Sequence, residues 1–146
     1  MIIRKMESED VKAIAALEKE CFSDPWSENS IASELDNPLS DWLVAEVDGK
    51  IAGYVGSQSV LDGADMMNLA VAPDFRRQGI GESLVNALVA HLRQKGIIVL
   101  LLEVRVSNDP AIALYQGLGF EQIGRRPNYY HHPREDALIM RKELAI

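Results

Sequence analysis

Three residue sets in this sequence have the types and spacing for chemistry. The first is Arg76-Arg77-Gln78-Gly79-Ile80-Gly81-Glu82, set between the apolar run Leu69-Ala70-Val71 and a segment carrying Leu84, Val85, Leu88, Val89 and Leu92. That second spacing makes one helical stripe. Pro73 ends the run before it, because proline cannot donate to a strand ladder. Glycines between strand and helix let backbone N–H groups come close to a ligand, and the positive end of the helix favours an anion, most often phosphate. Arg76 and Arg77 add mobile positive charge. No Walker-type Gly-Lys-Ser/Thr and no three-glycine dinucleotide fingerprint follows. The second set is Glu103, an acid inside the apolar run Leu101-Leu102-Glu103-Val104. A carboxylate there either finds a cation, Arg105 or another, or moves its pKa upward to a general base's range. The third is Tyr115, a phenol with pKa ~10 that stays protonated at neutral pH and can donate a proton, or else packs on a sheet.

The elements that must position them follow from periodicity and turn chemistry. Ile2-Ile3-Arg4 is β-prone. Ser8 has the position of a helix cap, with Val11, Ile14, Ala15, Leu17 and Cys21 on roughly one face after it. Phe22 to Trp26 breaks that helix, and Ser27 caps a second through Ile31 and Leu35. Trp42–Val47 and Ile51–Ser59 read as a hairpin across Asp48-Gly49, and Met66–Ala72 leads into the glycine turn. The next helix runs from about Gly79 to Lys95, with Gly96 beyond its end. Ile97–Val106 reads as a central strand buried on both faces. Asn108 or Asp109 caps a short helix holding Tyr115. Phe120–Ile123 and Ala137–Lys142 read as the last strands, with Arg126 to Pro133 as a loop between them. The order β-α-α-β-β-β-α-β-α-β-β implies an α/β (α+β) domain over residues 1–146: a mixed sheet of about seven strands flanked by helices.

Composition narrows the function classes. Of 146 residues, 47% are hydrophobic and 25% charged, an ordinary globular balance with a net charge of −7. A nucleic-acid binder carries basic excess, so this charge disfavours nucleic acid and suits a cationic partner, or serves solubility alone. A single cysteine, Cys21, excludes an internal disulfide and fits a reducing compartment. With no apolar run of membrane-spanning length and no signal-peptide pattern, a cytoplasmic protein is expected. Adjacent His131 and His132 have no spaced third ligand, so no metal is expected.

Arg-Arg-Gln-Gly-Ile-Gly after a strand ending in Ala-Pro resembles the acetyl-CoA motif of the GNAT-type N-acetyltransferases, and the predicted element order matches that fold. Asn108-x-x-Ala111-x-x-Leu114-Tyr115-x-x-x-Gly119-Phe120 is similar to a second motif of the family. Leu102-Glu103-Val104-Arg105, Pro25-Trp26-Ser27 and Tyr129-Tyr130 with Arg134-Glu135-Asp136-Ala137 resemble its ribosomal-protein-alanine branch. The resemblance implies acetyl-CoA as cosubstrate. Arg76, Arg77, Gln78, Gly79, Ile80, Gly81 and Glu82 would enclose its pyrophosphate, and Asn108 would touch it in addition to capping its helix. Backbone groups of Leu69, Ala70 and Val71 would bind the acetyl and pantetheine part, with the Val71 N–H as oxyanion donor. A splay between the Met66 and Ile97 strands would admit the pantetheine arm. Glu103 would accept the amine proton, directly or through water, and Tyr115 would act as general acid.

The acceptor side rests on Tyr129, Tyr130 and Glu135, which would flank an incoming peptide and attract its ammonium, or else form a solvated hairpin with aromatic anchors. A protein α-amine with pKa ~7.7–8.0 is about a tenth neutral at pH 7, whereas a lysine at ~10.4 is neutral in about one part in a few thousand. A site with one modest glutamate base therefore suits an N-terminal amine. The branch resemblance implies the N-terminal alanine of a basic ribosomal protein, acetylated directly in a ternary complex. Transfer to lysines or small amines, and a non-catalytic acetyl-CoA-binding module, stay open beside it.

Overall fold

The computed structural model describes residues 1–144. Its strands are β1 (Ile2–Lys5), β2 (Ser40–Val47), β3 (Lys50–Val60), β4 (Gly63–Val71), β5 (Val99–Arg105), β6 (Glu121–His131) and β7 (Arg134–Glu143). They form one mixed sheet in the order β1-β2-β3-β4-β5-β7-β6. Asp48 and Gly49, both at positive φ (51° and 76°), make the tight β2–β3 turn, the conformation such hairpins require.

Helices cover the two faces unequally. α3 (Ile80–Gln94) lies across one face. Its Leu84, Val85, Leu88 and Leu92 are fully buried in a core with Leu100, Leu102, Met140 and Leu144. Each such side chain contributes about 1.5–3 kcal/mol of burial. On the opposite face α1 (Val11–Cys21) and α2 (Glu28–Glu34) pack over the first strands only, with Ile14 and Ile31 buried against Val44 and Tyr54. Among the described residues no helix covers the half of this face formed by β5, β7 and β6. α4 (Asp109–Gly117) follows β5.

The Ser27 cap forms, its Oγ accepting from the Ser30 N–H at 3.1 Å. Asn108 caps α4 by accepting from the Ala111 N–H at 3.3 Å. Ser8 does not cap α1. It opens a short 3₁₀ turn, Ser8–Asp10, in which Asp10 accepts from the Glu7 N–H at 2.8 Å and is gripped by both terminal nitrogens of Arg4. β5 is not buried on both faces: Leu100, Leu102 and Val104 are buried against α3, while Val99, Leu101, Glu103 and Arg105 alternate as half-buried residues. The segment expected as a loop, residues 126–133, is mostly strand. β6 reaches His131 through register breaks around Gly124 and between Arg126 and Tyr130. Proline is tolerated there because β6 is the sheet's edge and Pro127 falls inside the break.

Candidate active site

β4 and β5 run parallel and paired only from Gly63↔Val99 to Met66↔Leu102, although β4 continues to Val71 and β5 to Arg105. Beyond Leu102 they part. The other edge of β4 remains paired to β3 as far as Val71. A register shift at Gly56/Ser57 pairs Gly56 with Asn68 and Ser57 with Met66, so Met67 is a bulged extra residue at the point of divergence, and bulges bend a strand in this way. Successive N–H groups of a strand point to opposite edges. The Ala72 N–H donates to Ala52 on β3 at 2.7 Å, so the Val71 N–H faces the gap. The expected splay is present, with a free donor on its β4 side.

A cavity of about 720 Å³ opens from this gap. Leu69, Ala70 and Val71 form one wall, and Arg76, Arg77, Gly79, Ile80, Gly81 and Glu82 form the floor at the start of α3. Asn108, Pro110, Ala111 and Leu114 close the α4 side, and Cys21 and Phe22 the α1 side. Gln78 is exposed and is not part of the lining. Arg77 and Gly79 adopt positive φ, 63° and 77°, in the tight turn that leads into α3. No side chain caps α3, so its first N–H groups are free for an anion. A Cβ on Gly81 would stand 3.5 Å from Leu114 Cδ2, against the wall between α3 and α4. Arg76 is partly committed, its Nε donating to the Val71 carbonyl at 3.1 Å and its Nη2 lying 3.5 Å from Cys21 Sγ. A largely apolar cleft that ends at a helix start has the chemistry to take a pantetheine arm followed by a pyrophosphate.

Glu103 is the first β5 residue past the last β4 pairing, on the face without a helix. Its partner is Arg126 of β6, at 3.3 Å, so Arg105, the cation nearest in sequence, is not the one it pairs with. Tyr129 stands beside this carboxylate. Burial and then the Glu103 charge push its phenol above the ordinary range. Tyr130 is pushed up to about 12, by burial first and then by Tyr129 and Glu103. Tyr115 is buried, its ring 5.5 Å from Phe120 in an edge-to-face pair. Burial raises its phenol well above the ordinary value, with Tyr130 adding to the shift, so it carries its proton throughout the neutral range.

Glu135 sits differently from the sequence expectation. Its carboxylate accepts from Arg105 Nη1 at 3.2 Å and from the Ser107 N–H at 3.1 Å. With a guanidinium and an amide on it, this carboxylate ties β7 to Arg105 and Ser107. Asp136 is likewise engaged, by Arg125 at 2.7 Å and the Asn128 N–H at 2.8 Å.

Two residues organise this region, Arg105, which the sequence offered only as a candidate partner of Glu103, and Glu18, which sequence reasoning passed over. Arg105 donates to the carbonyls of Pro133 and His132 at 2.9 and 3.3 Å, reaches Ser23 Oγ at 3.4 Å, and lies over the Tyr130 ring. It joins the α1–α2 segment to the β6–β7 turn, and His132 Nδ1, 2.9 Å from Asp24, closes the same gap further out. The other is Glu18, fully buried in α1. Its signal is in the sequence: with Val11, Ile14 and Ala15 it completes an i, i+3, i+4, i+7 stripe in which an acid has no ordinary place.

Residues 11–120 match the model of the acetyltransferase (GNAT) family. The [ribosomal protein bS18]-alanine N-acetyltransferase of Escherichia coli strain K12 is 41% identical over 146 residues, covering 99% of this chain and 98% of that protein. A crystal structure of the ribosomal-protein-S18-alanine N-acetyltransferase from Escherichia coli superposes with a TM-score of 0.91 at 39% identity, over 99% of this chain and 94% of that one. Ard1 from Thermoplasma volcanium superposes at 0.92 with 25% identity, over 99% and 98%. Among the described residues no helix is long and apolar enough to cross a membrane.

Proposed function

The chain belongs to the acetyltransferase (GNAT) family and is an acetyl-CoA-dependent N-acetyltransferase, and from that premise we propose that its acceptor is the α-amine of a protein N-terminus. The acceptor that its relatives' names favour is the N-terminal alanine of ribosomal protein bS18. The observation that carries the reading is the place of Glu103. It is the first β5 residue past the last β4 pairing, and Tyr129 stands beside it.

Bound acetyl-CoA supplies an activated acetyl thioester. The amides at the start of α3 and the turn from Arg76 to Glu82 would hold its pyrophosphate, and Leu69–Val71 its pantetheine arm. The Val71 N–H would donate to the carbonyl oxygen as negative charge develops there. Glu103 would take the proton from the amine, directly or through one water, with Arg126 holding the carboxylate in place. Tyr115, kept protonated by burial, would give its proton to the departing sulfur. Tyr129 and Tyr130 would flank the peptide backbone and narrow the approach to a chain end. Transfer would be direct between two substrates held together. Direct transfer needs no acyl carrier on Cys21, whose thiol burial raises above the ordinary range although Arg76 opposes this, which disfavours the thiolate.

Mass spectrometry tests the reading, with acetyl-CoA and peptides beginning Ala-Arg, their Nα-blocked lysine-containing counterparts, and spermidine. Acetylation confined to free N-termini is the expected result. Product on lysine or spermidine alone would move the acceptor class and leave the cofactor assignment standing.

A further inference from the structure

Glu18 is 0% exposed and has no part in the chemistry above. Its carboxylate accepts from the Trp26 N–H at 2.9 Å, from Asn68 Nδ2 at 3.1 and 2.9 Å to its two oxygens, and from the Tyr54 hydroxyl. All three partners are neutral donors. Burial pushes the carboxyl upward, and the bonds from Tyr54, Trp26 and Asn68 pull against that. Removing a carboxylate from water costs several kcal/mol unless its lone pairs are satisfied. The donors are therefore tied to the carboxylate, and through it to one another.

The location of the donors gives this bond set a purpose. Asn68 is the first β4 residue after the Met67 bulge, and Leu69–Val71, the wall of the cleft, follow directly. Trp26 lies in the segment after α1, and its ring meets Trp42 edge-on at 5.4 Å while Trp42 stacks on Tyr54 at 5.8 Å. Cys21 and Phe22, one turn on from Glu18, line the cleft opposite Leu69–Val71. The two walls are separate in sequence and meet at one buried carboxylate.

We propose that Glu18 is a positioning residue for acyl transfer: through Asn68 and the Trp26 N–H it sets the distance between the splayed end of β4 and the segment that follows α1. The inference rests on the acetyl-transfer reading of this cleft. Glu18 touches no substrate and acts by keeping the Val71 N–H in register with the cleft.

The test compares two variants that each remove one donor from the same carboxylate. Asn68→Ala frees the β4 wall, whereas Tyr54→Phe leaves both walls tied. Asn68→Ala is expected to lower kcat on an Ala-Arg peptide and to weaken coenzyme A binding, each by about tenfold or more, the order expected for misplacement of around 1 Å. Tyr54→Phe is expected to lower Tm while kcat and coenzyme A affinity stay within about twofold of the starting protein. Glu18→Gln retains an oxygen for Trp26 and Asn68 and should stay close to Tyr54→Phe. Equal kcat for Asn68→Ala and the starting protein, or losses that follow Tm alike in both variants, would overturn the proposal. If the unsubstituted protein acetylates no peptide, the N-terminal-acceptor reading fails by itself. Calorimetry with coenzyme A then still decides the positioning role: weakened binding in Asn68→Ala but not in Tyr54→Phe supports it, and equal affinities overturn it.

Discussion

The guanidinium carbon of Arg105 stands 4.3 Å from the centre of the Tyr130 ring, and the same guanidinium bonds Glu135 and two carbonyls of the β6–β7 turn. One planar cation thus fixes both the ring that would meet the peptide and the hairpin that carries it. Lysine cannot reproduce a stacked, multiply donating fork. Arg105→Lys is expected to raise KM for the peptide about tenfold with KM for acetyl-CoA unchanged, a loss of about 1.4 kcal/mol in acceptor binding. Steady-state kinetics with each substrate varied in turn decides it, and a parallel rise in both KM values would count against an acceptor-side role.

Glu103→Gln removes the proposed proton acceptor and leaves the shape intact. The expected loss at pH 7 is of the order of 10²-fold or more, the usual worth of a positioned base. As pH rises through the α-amine's pKa of ~7.7–8.0, solvent performs the deprotonation and the variant should recover part of its rate. A pH–rate profile from 6 to 9.5 reads this directly. A loss equal at every pH would assign Glu103 a structural role through Arg126 instead.

These two residues also mark where sequence reading reaches and where it stops. The Arg76–Gly81 turn was legible as a strand-to-helix turn because its glycines sit between an apolar run and a helical stripe, and the structure has positive φ there at Arg77 and Gly79. Glu103 was legible as an acid out of place. Its partner was not. An apolar run does not say whether its second face is buried or lines a site, and β5 has helix cover on one face only. Residues two apart on a strand stand side by side about 6.5–7 Å away, so Arg105 reaches the hairpin and leaves Glu103 to Arg126 across the sheet. The Tyr129-Tyr130 segment read as a loop because Pro127 and Asn128 are turn formers. Edge position and a register break, both properties of the assembled sheet, make it strand.

Tyr115→Phe deletes one hydroxyl and keeps the edge-to-face packing with Phe120. Turnover should fall by about 10²-fold if the phenol protonates the leaving group, with coenzyme A affinity and Tm little changed. Because burial raises the phenol above its ordinary value, the unsubstituted enzyme should show no alkaline decline from this group below pH 10. A decline in the pH 8–9 range that disappears in Tyr115→Phe would contradict a buried, protonated phenol.

Gly56 faces Trp42 so closely that a Cβ would lie 2.4 Å from Cε2 and 2.5 Å from Cδ2 of the indole. Trp42 is itself confined between Trp26 and Tyr54, so the ring cannot move aside without disturbing both. Gly56→Ala is therefore expected to cost about 1–3 kcal/mol by overpacking. Gly56 pairs with Asn68 at the bulge, so the strain should also reach the cleft. Chemical denaturation measures the first effect and coenzyme A titration the second. An alanine variant as stable as the parent would mean that the aromatic stack yields more easily than its packing implies.

Asp10 is a carboxylate through which acid should destabilise the fold. Arg4 grips it with two hydrogen bonds at 2.8 and 2.9 Å, and the Glu7 N–H adds a third at 2.8 Å. The Arg4 bonds, opposed by burial, hold its carboxyl below the ordinary 3.8. A carboxyl depressed in the folded state adds stability above its unfolded pKa, and that contribution is lost as pH falls through the folded value. Asp41, which burial raises but Lys95 and His91 bring below the ordinary value on balance, acts in the same direction. Tm should hold from pH 7 to about pH 4 as far as these two groups are concerned, and fall steeply below it. Asp10→Asn should lower Tm at pH 7 and flatten the acid limb, because the amide cannot lose a charge it does not carry. Thermal melts of both proteins from pH 7 to 3 separate the outcomes: parallel curves would show that the Arg4–Asp10 pair contributes shape without the linked charge.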